Sequence, residues 1–312
     1  MIVKAVLEPK ELTILRCLNS RMNLSKNEHQ QFVNKDKGFQ GEKKFNELLE
    51  HYPNDWLILN DLLFEYNQSL FQIDTLIITQ KMIYLFEVKN FDGTFYVENK
   101  KWFTMNGKEI KDSLLQLKRC ESLLRCLCKE LKITLPIAAN VVFINSEFTL
   151  YQAPLNEPII LPTQLNPFMR SINNHPPQLS QVHAKLAHQL LSLHMEDSPY
   201  TRLPTYSFDK LLKGINCVSC ASLETSIQSN KVICNLCGHL ENIETALLRS
   251  VKQYKLLFPE KEVSTKSIYE WCGIFQSKKT IRRILSNHFT LQIHGRNSYY
   301  IYPGAKEKTV KE

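Results

Sequence analysis

Residues 82–86 carry no charge, and the run ends in Glu87-Val88-Lys89. Side chains alternate along a strand, so a buried strand that finishes this way points Glu87 and Lys89 to one face, their Cα atoms about 7 Å apart. A second apolar, β-branched and aromatic run, residues 71–79, precedes it across the short Gln80-Lys81 turn. The spacing predicts a hairpin, which returns Asp74 to the side of Glu87 and Lys89. Two carboxylates and one ammonium then meet at one end of a largely buried sheet.

That combination suits phosphodiester hydrolysis. Hard carboxylate oxygens hold Mg²⁺ or Mn²⁺, and a cation orients water and offsets charge at phosphorus. In this reading Asp74 and Glu87 are metal ligands, while Lys89 positions the water or helps to deprotonate it. A D…ExK string taken alone also describes a structural salt bridge at a strand end. Glu42 bears on the choice because it shares a helical stripe with Phe45, Leu49 and Tyr52, and a carboxylate on a core-facing stripe needs a reason. It is either a further site carboxylate or a helix-start acid favoured by the dipole. Gln116, on the helix that follows the sheet, is either an amide within reach of phosphate or water, or a solvated side chain.

Taken in order, Gly38-x-x-Gly41-Glu42, Asn60-Asp61-Leu62, Gln72-Ile73-Asp74, Phe86-Glu87-Val88-Lys89-Asn90, Gly93, Trp102 and Gln116 resemble the nuclease-related domain (NERD) family. That family is grouped with the PD-(D/E)XK, restriction-endonuclease-like nucleases. The resemblance spans residues 36–145. It implies an α/β fold with a restriction-endonuclease-like mixed sheet flanked by helices, catalytic roles for Asp74, Glu87 and Lys89, and accessory active-site roles for Glu42 and Gln116. Gln80-Lys81 stands where the family often carries glycine, and Asp112-Ser113 precedes Gln116 where Asn-Pro is common. Both departures bear on turn geometry and substrate, and neither removes a catalytic group.

The surrounding pattern supports α/β layering. Helices are predicted over residues 9–20 and 25–52, with Pro53 closing the second. An Asp92-Gly93 turn leads to strands around 95–97 and 102–105, then to a helix over 114–131 and a strand over 137–145. Pro154, Pro158, Pro162, Pro167, Pro176 and Pro177 crowd the next stretch, with Pro136 just upstream. Missing N–H donors predict extended chain there rather than regular helix or central sheet, followed by a helix over 179–195. The chain thus divides into an N-terminal helical segment (1–35), a nuclease-like domain (36–145), a proline-rich segment and helix (146–210), a cysteine module (211–240) and a basic domain (241–305).

Cys217-x-x-Cys220 and Cys234-x-x-Cys237 are separated by thirteen residues. Two such knuckles supply four thiolates to one tetrahedral Zn²⁺, a closed and therefore structural site. A thioredoxin-like redox pair is the rival, but it calls for a βαβ setting that the flanking sequence lacks. The module resembles a zinc ribbon, whose metal replaces a core that so few residues cannot build. The other five cysteines, Cys17, Cys120, Cys126, Cys128 and Cys272, lie in apolar helical patterns and are expected to be buried and inert.

From residue 241 onward thirteen Lys and Arg face seven Asp and Glu, so +6 of the net +8 lies in the last 72 residues. Helices over 243–258, 265–272 and 277–287 precede strands 290–294 and 298–302 around Gly295-Arg296-Asn297, an order that suggests a winged-helix-like α+β domain. In the third helix Ile281, Ile284 and Leu285 make the inner face, leaving Lys278, Lys279, Arg282 and Arg283 outside, with Arg296 in the following turn. No acid occurs between Ser277 and Arg296, which suits a DNA groove and its phosphates. A winged helix used for protein contacts would also present such a face.

The sequence expectation is therefore a Mg²⁺- or Mn²⁺-dependent nuclease acting on DNA in preference to RNA, with structural Zn²⁺. Its alternatives are a DNA-binding protein with an inactive nuclease fold and a zinc-stabilised protein adaptor. No run approaches the ~20 apolar residues of a membrane span and no export signal precedes the first helix, so the cytoplasm is the expected location. The sequence names no protein partner and leaves a homodimer open.

Overall fold

The computed structural model describes residues 1–52, 56–173, 179–294 and 297–301. Pro53, Pro176, Pro177, Gly295 and Arg296, which entered the sequence expectations, lie outside the described residues. Two compact units share the chain: Met1–Pro9 with Val33–Thr201, and Lys10–Phe32 with the described residues from Arg202 onward. Strand β1 (Ile2–Lys4) belongs to the first and helix α1 (Lys10–Asn19) to the second, while α2 (Lys26–Glu50) contributes to both.

The first unit continues with β2 (Leu57–Tyr66), β3 (Ser69–Ile78), β4 (Ile83–Lys89), β5 (Gly93–Glu98), β6 (Lys101–Thr104), β7 (Glu109–Ile110), α3 (Ser113–Glu130), β8 (Ile137–Phe143), β9 (Phe148–Tyr151), β10 (Ile159–Ile160), α4 (Pro162–Asn173) and α5 (Gln181–Leu193). Its main sheet runs β1-β2-β3-β4-β8-β10. Pairs β2/β3 and β3/β4 are antiparallel, while β1/β2, β4/β8 and β8/β10 are parallel, so the sheet is mixed. The predicted hairpin is present, closed by Thr79 N–H donating to Met82 O at 2.9 Å. Helices lie on both faces. Leu117, Leu124 and Cys128 of α3 and Leu186 and Leu190 of α5 pack with Ile83 and Leu85, whereas Phe45 and Leu49 of α2 and Leu165 and Met169 of α4 pack with Phe86 and Val88. A smaller sheet, β7-β6-β5-β9, adds Phe95, Trp102 and Phe148 to the α3 side.

Two expectations are corrected. The proline-rich stretch holds an edge strand, β10, and a helix, α4. Pro162 is the first helical residue, where an N–H would be unpaired in any case. Gln164 reinforces that start: its N–H donates to Leu161 O at 2.9 Å and its Oε1 accepts from Leu161 N–H at 3.0 Å. Pro167 sits inside the helix, but Leu165, Met169 and Ile172 form a buried stripe at spacings of four and three, and that burial outweighs one lost bond. Cys126, expected to be buried, is exposed, because Leu124, Leu127 and Cys128 take the inner face of α3. The other four cysteines outside the knuckles are buried.

In the second unit β11 (Thr225–Gln228), β12 (Lys231–Cys234) and β13 (Leu240–Asn242) form an antiparallel sheet. Helices α6 (Ile243–Leu257), α7 (Thr265–Cys272) and α8 (Lys278–His288) and the hairpin of β14 (Thr290–His294) and β15 (Asn297–Ile301) follow in the expected order. Tyr300 bridges back to Val263. Ile14, Cys17 and Leu18 of α1 share one core with Val232, Leu247, Trp271 and Ile284. Arg21 is fully buried in this unit, its guanidinium 3.9 Å from the Trp271 ring and donating to Leu212 O and Gly214 O at 2.9 and 3.0 Å.

Within the first unit, Gly41 sets how closely α2 meets the end of β4. A Cβ there would lie 2.6 Å from Asn90 Cβ, whereas one at Gly38 would meet nothing within 4 Å. Gly41→Ala should therefore cost about 1–3 kcal/mol by overpacking, while Gly38→Ala should be neutral or stabilise by up to ~1 kcal/mol through helix propensity. Urea denaturation of the two variants checks this. Equal effects would show that the contact is slack.

Candidate functional site

The β3/β4 pairing ends at Thr75–Phe86, and Asp74 and Glu87 are the next residue on each strand. Ile83 and Leu85 face the α3 side and Phe86 and Val88 the α2 side, so alternation turns Glu87 and Lys89 toward α3. Lys89 Nζ donates to Glu87 Oε1 at 2.5 Å and to Gln116 Oε1 of α3 at 3.3 Å. Val88 N–H donates to Asp74 Oδ2 at 2.8 Å. Asp74 of β3, Glu87 and Lys89 of β4 and Gln116 of α3 thus meet on one side of the sheet.

Why Asp74 stands here follows from an irregularity in the sheet. In β2 the residues that face the α3 core change from Leu57 and Leu59 to Leu62 and Phe64, and in β3 from Ile78 and Leu76 to Ile73 and Phe71. Strict alternation cannot bridge either odd step. Asp61 absorbs the step in β2 with a left-handed φ of +50°, a conformation that costs a non-glycine residue energy. Asp74 lies across from this bend. Asn60, fully buried beside it, donates to Asn46 Oδ1 of α2 at 2.9 Å and accepts from Thr75 Oγ1 at 3.0 Å.

Glu42 lies one turn before Phe45 on α2. Burial pushes its carboxyl up to about 7, with the negative charges of Asp61 and Glu87 adding to the shift and Lys89 and Lys4 opposing it. Asp74 is likewise held well above the ordinary carboxylate range, first by burial, then by Glu87 and Glu42. Glu87 is only 2% exposed. Close, poorly solvated carboxylates of this kind are costly unless a cation joins them. Carboxylate oxygens are hard ligands of the kind a divalent ion such as Mg²⁺ takes, and Asp74 and Glu87 are the residues that could supply them.

Two neighbours escaped the sequence reading as site residues. Asp61 accepts from Gln72 Nε2 at 2.8 Å, and Lys4 of β1 donates to Asn60 O and Asp61 O at 2.9 and 2.8 Å. Lys4 gave no signal because nothing local ties residue 4 to residue 61. The Asn60-Asp61 pair could have been flagged as a polar break within the apolar run 57–64.

The four knuckle cysteines also converge. Their Sγ atoms lie within 4.8 Å of one another, with Cys217 to Cys237 at 3.6 Å and Cys220 to Cys234 at 3.5 Å. Disulfide sulfurs stand about 2.05 Å apart; thiolates around one zinc, each about 2.3 Å from the metal, stand about 3.8 Å apart. Each knuckle turns through a left-handed residue four after its first cysteine, Ala221 (φ +60°) and Gly238 (φ +73°). The cluster could hold zinc, as a zinc ribbon does.

On α8, Lys278, Lys279, Arg282 and Arg283 are exposed, and Ile281, Ile284 and Leu285 are fully buried. Ser277 caps the helix by accepting from Lys279 N–H at 3.2 Å. Arg296 lies outside the described residues.

Comparison with known families bears on the carboxylate site. Residues 37–144 match the model of the nuclease-related domain family. That match covers about a third of the chain. No curated protein and no solved structure matches the chain. The matched segment runs from α2 through β8 and contains Glu42, Asp74, Glu87, Lys89 and Gln116. Among the described residues no helix is long and apolar enough to cross a membrane.

The half-buried carboxyls of Glu42 and Asp74 predict a pH effect on the metal-free protein. Glu42 binds its proton more tightly folded than unfolded, so its contribution to stability is complete below about 4.5 and is lost as pH rises through about 7. Asp74 acts in the same direction. Melting temperature should fall from about pH 5 to about pH 8, and Glu42→Gln should flatten that fall. Identical pH profiles for the two proteins would mean that Glu42 is well solvated.

Proposed function

We propose that the protein is a metal-dependent nuclease that hydrolyses DNA phosphodiester bonds, with α8 and its neighbours gripping the nucleic acid. The observation that carries the reading is Lys89 Nζ held between Glu87 Oε1 and Gln116 Oε1, on the side of the sheet where Asp74 also lies. Asp74 and Glu87 would hold Mg²⁺ or Mn²⁺. When bound, the ion supplies charge neutralisation at phosphate oxygens.

The chain's own groups do the remainder. Val88 N–H fixes one Asp74 oxygen and leaves the other free to bind. Gln116 accepts from Lys89, which orients the ammonium toward the space beside the carboxylates. There Lys89 can position water for attack and offset the charge gathering on the phosphorane oxygens. Burial of Glu87 keeps competing water away from the pair.

Incubation of the purified protein with supercoiled, linear and single-stranded DNA and Mg²⁺ or Mn²⁺ tests the reading. Cleavage should appear with the unaltered protein and drop by at least ~10²-fold in Asp74→Ala and Lys89→Ala. Cleavage that survives both changes would refute the assignment.

The zinc ribbon and the winged-helix-like tail belong to the same proposal: Zn²⁺ on Cys217, Cys220, Cys234 and Cys237 holds the ribbon, and Lys278, Lys279, Arg282 and Arg283, with Arg296, contact phosphates. DNA is favoured over RNA, and a cytoplasmic setting follows. Each phosphate neutralised releases counterions, so changing the four α8 cations to alanine should weaken DNA binding and reduce the log–log salt slope by up to about 4. Fluorescence anisotropy across a salt series measures both. An unchanged slope would favour a protein-binding role for this face.

A further inference from the structure

We infer that the outer face of the small sheet β7-β6-β5-β9 is a base-stacking platform for single-stranded nucleic acid, built on Phe103, Tyr96 and Tyr151. The choice of occupant rests on the nuclease reading proposed above.

Phe95 and Val97 of β5, Trp102 of β6 and Phe148 and Leu150 of β9 pack into the core on the α3 side. Alternation therefore turns Tyr96, Phe103 and Tyr151 to the opposite face. Register aligns them: Tyr96 pairs with Phe103 on one side and with Tyr151 on the other, so three aromatic residues cross three adjacent strands in one row. Strands stand about 4.8 Å apart, and the row spans about 10 Å. The Tyr96 and Phe103 rings are 5.3 Å apart and inclined by 20°. Tyr151, at the end of the row, is 57% exposed. Cross-strand ring pairs stabilise a sheet, which accounts for Tyr96 and Phe103 and leaves Tyr151 unexplained. One exposed ring on a surface is ordinary, but a row in register is a patch with a direction.

Every base has a face that stacks on an aromatic ring, and a four-stranded sheet can seat two or three bases. The phosphates between them call for cations at the margin. Residues 98–111 carry four lysines, Lys100, Lys101, Lys108 and Lys111, against Glu98 and Glu109. All four lysines are exposed, and Lys100 and Lys108 stand in the connections on either side of β6. Lys101 pairs with Glu109 at 2.9 Å.

The platform also continues the strands of the candidate active site. β5 starts four residues after Lys89, and the parallel pair β4/β8 leads into the parallel pair β5/β9. Ile144 N–H donating to Lys89 O at 3.0 Å and Gly93 N–H donating to Glu147 O at 3.2 Å join the two pairs. Tyr96 is seven residues past Lys89, at most about 25 Å of extended chain. A strand seated on the rings lies within reach of Lys89. Duplex bases keep their faces in their own stack, so the platform selects unpaired strands.

Fluorescence anisotropy of a labelled twelve-nucleotide oligothymidylate, with the full-length protein and no added Mg²⁺ or Mn²⁺, reads binding without cleavage. Tyr96→Leu and Tyr151→Leu should each weaken binding by roughly 5- to 100-fold. Tyr151→Phe keeps the ring and should bind like the unaltered protein. Affinity for a duplex of the same length should change by less than about twofold in all three variants. An oligonucleotide of that length with abasic central positions should bind the unaltered protein as weakly as oligothymidylate binds the leucine variants, an arm that involves no substitution and no effect on folding.

Unaltered protein that binds neither single strands nor duplex would remove the nucleic-acid reading and the platform with it. Oligothymidylate binding that survives the loss of either ring, or an abasic strand bound as tightly as oligothymidylate, would overturn the platform alone. Equal losses on single strands and duplex would overturn it as well, since stacking on open bases would then not be what the rings supply.

Discussion

The contact between Gly41 of α2 and Asn90, just past β4, decides where the helix enters the first unit. Asn90 is buried and donates from Nδ2 to Lys37 O at 2.8 Å, so the strand end is tied to the helix one turn before Gly41. Lys37 and Asp92 extend the tie with an ion pair at the surface. Glu42 follows immediately. Its approach to Glu87 and Asp61 is thus a consequence of backbone packing rather than of attraction, since those neighbours repel it. A helix held this way can present a carboxylate where solvation and charge both disfavour one, which is how strain accumulates at functional sites.

The sheet makes the complementary concession. An uninterrupted β2/β3 hairpin would keep one strict alternation and carry Asp61 and Asp74 through regular ladder positions. Instead both strands change parity at the same level, and the bend is satisfied by side chains: Asn60 by Asn46 and Thr75, Asp61 by Lys4 and Gln72. Every partner except Asn46 comes from a neighbouring strand. The polar cluster is therefore built into the sheet itself, each buried polar group satisfied by a side chain of a neighbouring element.

What could be read from sequence divides along the range of the interactions. The 71–89 hairpin was legible because alternation and a short turn are local, and so were Ile281, Ile284 and Leu285 as the inner face of α8. The cysteine knuckles were legible because their spacing is itself the chemical requirement. Strand β2 was not, because 57–64 is apolar on both sides of Asn60-Asp61 and lacks a period. Helix α4 was hidden by weighing proline as a breaker without weighing position: Pro162 at a first turn costs little, and the stripe of Leu165, Met169 and Ile172 carries the rest. Cys126 was misplaced by treating a helix rich in Leu and Cys as uniformly inward-facing. Lys4 needed the topology, since only the pairing of β1 with β2 brings residue 4 to residue 61.

In the second unit the same logic joins the cysteine module to the basic helix. Val232, between the knuckles on β12, packs into the core that also contains Leu247 of α6 and Ile284 of α8. Asn242 ends β13 and caps α6, accepting from Glu244 N–H at 2.8 Å, so no linker separates sheet from helix. Arg249 of α6 reaches back to Asn216 O and Glu241 at 2.8 and 2.6 Å, bracketing the first knuckle and the last strand. With a core this continuous, a zinc ion on the four thiolates would stabilise more than its own ribbon. Order at the cysteines would be transmitted to the helix that presents Lys278, Lys279, Arg282 and Arg283, because the two share buried side chains rather than a flexible hinge.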